Sequence, residues 1–129
     1  MCIRDRITTD LAKLADYHIR LRPGTNVAVL NMMLYYIVKG NIFNKDFVEN
    51  RTEGFEEFFN HIDSLDIDHL ASVAGVDKQL VKEAAIAYAT AKNSMEFHGL
   101  GVTEHEQGSK TVMFIADLAM ITGLSLIHI

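Results

Sequence analysis

Residues 95–108 read Met95-Glu96-Phe97-His98-Gly99-Leu100-Gly101-Val102-Thr103-Glu104-His105-Glu106-Gln107-Gly108, and the fold class turns on them. Met95 and Phe97 alternate with Glu96 and His98, the period-2 pattern of a strand. Gly99 and Gly101 then remove side chains, so the backbone can turn sharply or lie against a ligand. A polar run from Thr103 to Lys110 follows, and then an apolar stretch, Val112 to Ile121, long enough for a helix. Strand, glycine turn, polar loop and helix, in that order, build the ligand site of an open α/β fold. The same order also describes an ordinary tight strand-to-helix loop, and Gly-x-Gly is not the Gly-x-Gly-x-x-Gly fingerprint. Both readings stay open at this level.

Working back toward the N-terminus, five helices are expected. Asp77 caps one, with Val76 and Val81 as its staple and Leu80, Ala84, Tyr88 and Ala91 repeating every four residues. Ala87 keeps its crossing close, and Asn93 closes it in the left-handed conformation. Asp66 caps a shorter helix with Leu70 and Val73 inward. Phe55, Phe58, Phe59 and Ile62 mark an amphipathic one after the break at Gly54. Asn44 caps another, with Phe43 and Val48 as its staple and Phe47 facing inward beside Val48. Thr25 caps the longest, Asn26 to Lys39, which is apolar on most sides and so is expected to be buried. Gly40 and Asn41 suit its C-terminus.

Ahead of it, His18-Ile19-Arg20-Leu21-Arg22 alternates like a short strand, and Pro23-Gly24 ends it. Thr8-Thr9-Asp10 caps a short helix over Leu11 to Tyr17, with Leu11, Leu14 and Ala15 on one face. The expectation is therefore an α/β fold, a partial Rossmann-like domain with short parallel strands and mostly helical content. Two short strands cannot stand as an independent sheet, so such a segment needs strands from a larger domain. Both end hexamers, 1–6 and 124–129, resemble translated sequencing-adapter sequence. They are set aside, and residues 7–123 are taken as the segment of interest.

Bulk composition narrows the function classes. The 129 residues are 49% hydrophobic and 22% charged, enough apolar surface to support a core. A formal net charge of −5 argues against a nucleic-acid surface. The single cysteine, Cys2, allows no internal disulfide and no iron–sulfur cluster within the chain. No apolar run is long enough for a membrane span. His98, Glu104, His105 and Glu106 fit no zinc spacing. Asp63, Asp66 and Asp68 have the wrong spacing for a calcium loop, and Asp66 is better read as a cap. No metal site and no catalytic residue is assigned.

A second junction deserves equal weight. Arg22-Pro23-Gly24-Thr25-Asn26 again joins an extended segment to a helix start, with side-chain donors and acceptors beside free backbone N–H groups. Thr25 there is either a plain cap or part of a site that reads a nucleotide base.

Three blocks carry a family resemblance. Residues 14–31, Leu14-Ala15-Asp16-Tyr17-His18-Ile19-Arg20-Leu21-Arg22-Pro23-Gly24-Thr25-Asn26-Val27-Ala28-Val29-Leu30-Asn31, resemble the stretch after the Asp-Pro-Arg loop of molybdopterin-dependent oxidoreductases. Phe47-Val48-Glu49-Asn50-Arg51-Thr52-Glu53-Gly54-Phe55-Glu56-Glu57-Phe58 resembles their Arg-Thr-Glu-Gly-Phe segment. Gly99-Leu100-Gly101-Val102-Thr103-Glu104-His105 resembles their Gly-Met-Gly-Val-Thr-Gln-His loop. The blocks come in family order, and the likeness is greatest to catalytic α subunits of formate dehydrogenases.

The resemblance implies a large enzyme with a bis(molybdopterin guanine dinucleotide) molybdenum or tungsten centre, oxidising formate to carbon dioxide. It implies a 4Fe-4S cluster in the parent outside this segment. The partners would be the rest of the parent α subunit and electron-transfer subunits. The cytoplasm is the expected compartment and the periplasm the alternative. By position, Gly24, Thr25 and Asn26 match the family's guanine-contacting triplet, and Leu100, Gly101 and Glu104 match its second pterin-contacting loop. Asn26 departs from an aspartate: it has one acceptor oxygen and a donor amide where a carboxylate would accept twice. Glu104 replaces a glutamine and brings a charge near phosphates, so it is expected to turn away, protonate or bond to backbone N–H groups. Arg6 matches the family arginine only by accident. A nitrate reductase-like enzyme of the same family and a non-catalytic α/β interaction module are the competing readings.

Overall fold

The computed structural model describes residues 2–4 and 7–124. The molecule is mostly helical, and its centre is α2, Asn26–Lys39. Val29, Met32, Leu34 and Ile37 are completely buried there. The helix is apolar nearly all round, so only cover on several sides could keep it from water. That cover comes from α4 (Phe55–Asp63), α5 (Ile67–Ala74), α6 (Lys78–Thr90) and α8 (Gly108–Ile121), all of which pack on it. The amide oxygen of Asn31 is buried in α2 with no hydrogen-bond partner among the described residues.

The caps set the helix starts much as the sequence predicts. Asn44 Oδ1 accepts from the Phe47 N–H at 3.0 Å and opens α3, Lys45–Arg51. Asp66 Oδ1 accepts from His69 N–H at 3.0 Å, and Asp77 Oδ1 from Gln79 N–H at 2.8 Å. Each satisfies an N–H that the helix cannot. Asn44 also donates its own N–H to Ile121 O at 2.7 Å, tying α3 to the end of α8. Phe43, Phe55, Phe58 and Phe59 form an aromatic cluster beside these helices, with ring centroids 5.3–6.2 Å apart.

The three acidic residues with the faint calcium spacing are each engaged. Asp63 pairs with Lys39 at 2.6 Å, Asp66 is the cap, and Asp68 pairs with Lys78.

The mostly helical content and short parallel strands are as expected, while the Rossmann-like part of the expectation is corrected. Extended structure among the described residues is one parallel ladder of two three-residue strands, β1 (Cys2–Arg4) and β2 (Tyr17–Ile19). No Rossmann-like sheet is seen among the described residues. Met95–His98 forms no strand, although its alternation is that of one. A strand needs a neighbour at hydrogen-bonding distance, and the described residues supply none there. β1 falls within a hexamer that the sequence reading set aside; the rest of that hexamer and residues 125–129, with Arg6 among them, lie outside the described residues.

Smaller corrections follow from packing. The first helix, α1, runs only from Asp10 to Lys13; Leu11 and Leu14 are exposed and Ala12 is its buried residue. Val73 is exposed, while Ala71 and Ala74 face the core. On α6 the predicted Leu80, Ala84 and Tyr88 do pack on the core, with Ala84 fully buried, but Val81 and Ala85 are buried as well and Ala91 lies beyond the helix end, exposed. Asn93 is not left-handed; the non-glycine residue with positive φ is Asn41, at 52°. The last helix begins at Gly108, four residues earlier than the apolar run suggested, after a one-turn helix α7, Leu100–Thr103.

Candidate functional site

Two turns face each other across one cleft of about 770 Å³. The first, 22–26, leaves β2 and enters α2. The second, 93–105, leaves α6 and enters α7. That volume falls within the range of ordinary small-molecule sites.

The first turn is fixed from below by Arg22. Its backbone N–H donates to Ala74 O at 2.9 Å, and its Nη1 donates to Ser72 O at 2.8 Å and Val73 O at 3.3 Å. A guanidinium on the last carbonyls of α5 satisfies groups that the helix leaves orphaned. Gly75 is at φ +68°, a conformation strained for L-residues, and an added Cβ would stand 2.8 Å from Arg22 Nε and push the guanidinium off these carbonyls. Sequence reading missed this anchor, because nothing local to Arg22 announces a helix end some fifty residues away. The bonds to the α5 carbonyls use Nη1 and fix the guanidinium at the cleft wall, where it keeps its positive charge.

Thr25 occupies the cap position of α2 but makes no side-chain cap bond. Its hydroxyl donates back to Arg22 O at 2.7 Å, which tightens the turn. Gly24 sits at φ +80° with open space where a Cβ would be. Any L-residue there would be strained by its backbone rather than by a clash.

The second turn is held by Tyr88. Its hydroxyl donates to Glu96 Oε1 at 2.5 Å, and its carbonyl accepts from Ser94 Oγ at 2.9 Å. Burial first, and then the bond to Glu96, push the phenol's pKa above its ordinary value, so it stays a donor throughout the physiological range. Downstream, the Val102 and Thr103 N–H groups bond to Gly99 O and start α7.

Of the six residues singled out from sequence, Gly24, Asn26 and Gly101 line the cleft together. Thr25, Leu100 and Glu104 do not. Leu100 is 68% exposed on the outer side of α7, and Glu104 is the exposed C-terminal cap of that helix. The ionisable groups on the wall are Asp16, Arg22, Glu96, His98 and His105, a mixed set with no basic concentration. Among the described residues no group of three or more His, Cys, Asp or Glu could hold a metal ion. No helix of the described residues is long and apolar enough to cross a membrane.

Chemically, the cleft offers recognition. Asn26 is half-buried and presents a donor and an acceptor on one planar amide, which suits the edge of a heterocyclic base. Gly24 and Gly101 leave the backbone bare beside it.

No protein-family model matches the chain. Relatives are nonetheless clear. Formate dehydrogenase H of Escherichia coli is 40% identical over 114 residues, which is 88% of this chain and 16% of that protein. The assimilatory nitrate reductase catalytic subunit of Bacillus subtilis is 33% identical over 115 residues, 89% of this chain and 16% of that protein. Among solved structures, acetylene hydratase from Pelobacter acetylenicus superposes with a TM-score of 0.93 at 26% identity, over 97% of this chain and 17% of that one. The chain thus spans about a sixth of the length of the relatives it matches. Over that span it is a homologue of formate dehydrogenase and nitrate reductase catalytic chains, and it belongs to the molybdopterin oxidoreductase family.

Proposed function

We propose that these residues are part of the catalytic subunit of a molybdopterin-dependent formate dehydrogenase, and that they supply one wall of the site for its guanine dinucleotide. The observation that carries the reading is the meeting of the 22–26 and 93–105 turns on one cleft.

The residues present fit the base end of such a cofactor better than its phosphates. Asn26 can both donate to and accept from a purine edge, and Gly24 and Gly101 leave room for a flat ring. Arg22 is the one Lys or Arg on the cleft wall, with Nη1 held by the Ser72 and Val73 carbonyls, so most of the charge the phosphates need would come from groups outside this chain. Thr25 would act by fixing the turn that presents Asn26. Leu100 and Glu104, at the two ends of α7, would flank the cleft and set where Gly101 stands. When bound, the molybdenum or tungsten pterin centre supplies the two-electron redox chemistry that takes formate to carbon dioxide. The residues of this chain bind and orient; none of them is assigned to proton or electron transfer.

The partners are the remainder of the parent subunit, with its own 4Fe-4S cluster, and electron-transfer subunits; the compartment is the cytoplasm. Relatives of comparable coverage include a nitrate reductase, so nitrate reduction is the second reading. Purified full-length enzyme decides between them. Formate-dependent reduction of an artificial dye, without nitrate reduction by reduced dye, is the expected result. Nitrate reduction without formate oxidation would replace the substrate assignment.

A further inference from the structure

Arg22 is exposed and lines the cleft, where no other lysine or arginine stands. Its guanidinium carries five N–H donors in a rigid planar fork and no acceptor. Two bonds fix that plane, both from Nη1: to Ser72 O at 2.8 Å and to Val73 O at 3.3 Å. No carboxylate pairs with Arg22 among the described residues. The carbonyls at the end of α5 carry only partial charge, so they orient the cation without neutralising it. Nη2 and Nε–H make no bond to a described residue. On a guanidinium these two donors share one edge, the edge that grips a phosphate or carboxylate bidentately.

The turn couples this cation to the amide of Asn26. Thr25 donates its N–H at 3.3 Å and its hydroxyl at 2.7 Å to Arg22 O, and Thr25 O accepts from the Val29 N–H at 3.3 Å. Residue 22 and the start of α2 are thereby one rigid piece. One loop therefore presents a planar amide that suits a heterocyclic base and, four residues earlier, an oriented cation that suits an oxyanion. That pair of chemistries matches a nucleoside phosphate better than a free base.

We infer that Arg22 is a phosphate-binding residue: it holds one phosphate of the guanine dinucleotide through Nη2 and Nε–H, while the last carbonyls of α5 hold Nη1. The inference rests on the cleft being the dinucleotide site and adds to that reading the residue that meets a phosphate. It also makes Gly75, which does not line the cleft, a positioning residue, because an added Cβ would stand 2.8 Å from Arg22 Nε and 3.1 Å from Cζ.

Equilibrium dialysis of GDP and of guanosine against the full-length subunit without cofactor, at fixed ionic strength, tests this. The unsubstituted subunit is expected to bind GDP more tightly than guanosine. Arg22→Gln should lower GDP affinity about tenfold and leave guanosine affinity unchanged. Arg22→Lys keeps the charge without the fork, so its GDP affinity should fall between. Gly75→Ala displaces the guanidinium without changing any charge and should also weaken GDP selectively. Gly123→Ala is the matched control: Gly123 is likewise left-handed, at φ +75°, and its Cβ would meet Asn44 away from the cleft, so the ratio of GDP to guanosine affinity should not move. Equal losses for GDP and guanosine in Arg22→Gln would show that Arg22 only shapes the turn and would overturn the inference. Unchanged GDP affinity would overturn it too, and either result leaves the cleft reading standing. Binding of neither compound by the unsubstituted subunit overturns both.

Discussion

Helix α2 and the segment Met95–Leu100 are both rich in apolar residues, yet one is sealed and the other bare. In α2, Val29, Met32, Leu34 and Ile37 have no exposed surface. In the second turn, Met95, Phe97 and Leu100 are each more than two-thirds exposed. The difference is where the cover comes from. α2 is wrapped by α4, α5, α6 and α8 of the same chain. The Met95 segment is anchored to the helices by Tyr88. Apolar composition alone therefore does not say whether a segment is core; it says that the segment needs a neighbour, and the neighbour can lie in another part of the protein.

The contrast can be broken by truncation. Leu34→Ala removes a fully buried side chain from the centre of α2 and should destabilise this chain by about 2–5 kcal/mol, measured as a shift in the urea midpoint at constant m. A loss below about 1 kcal/mol would mean that α2 is not the tight core described.

Between the extremes stands Asp117 on α8, half-buried, where burial raises its pKa above the ordinary value. An acid whose folded pKa is raised binds its proton more tightly when folded. That contribution to stability is complete below the unfolded pKa and is lost as pH rises through the folded one. Asp117→Asn should match the parent chain in Tm at low pH and exceed it increasingly as pH rises past the carboxylate range. A Tm difference independent of pH would remove the titration as its cause.

The smallest effect is expected at the bare segment. Phe97→Ala should change the stability of this chain by less than about 0.5 kcal/mol, as surface substitutions do. A loss comparable to Leu34→Ala would show that Phe97 is already packed here, and the contrast with α2 would fall.

How much of this was legible in the residues differs by element. The run Asn26–Lys39 and the caps at Asn44, Asp66 and Asp77 are local signals, and they appear where their side chains predict. The Met95 alternation is equally local but describes a strand only when something pairs with it. Leu11 and Leu14 misled in the same way: a helical apolar spacing was read as a core face, and the helix stops at Lys13 with both side chains in water. Apart from the family resemblance, Asn26 and Gly101 stand out in sequence only as polar or glycine positions beside helix starts. That they share a cleft depends on Arg22 reaching α5 and Tyr88 reaching Glu96, contacts that no local pattern encodes. The burial of α2 is as its all-round apolar surface predicts, and its own chain supplies the cover. The case for a larger enzyme rests instead on the relatives and on the exposed second turn.

The shared cleft is tested most directly by the guanine nucleotide recovered from acid-denatured full-length subunit. Asn26→Ala on the first turn and Gly101→Val on the second should each cut the recovered nucleotide to less than half of the unsubstituted level, with Met113→Ala, exposed on α8 and away from the cleft, as a control that retains it. Folded Asn26→Ala and Gly101→Val proteins that both carry the full complement would contradict a nucleotide held between the two turns.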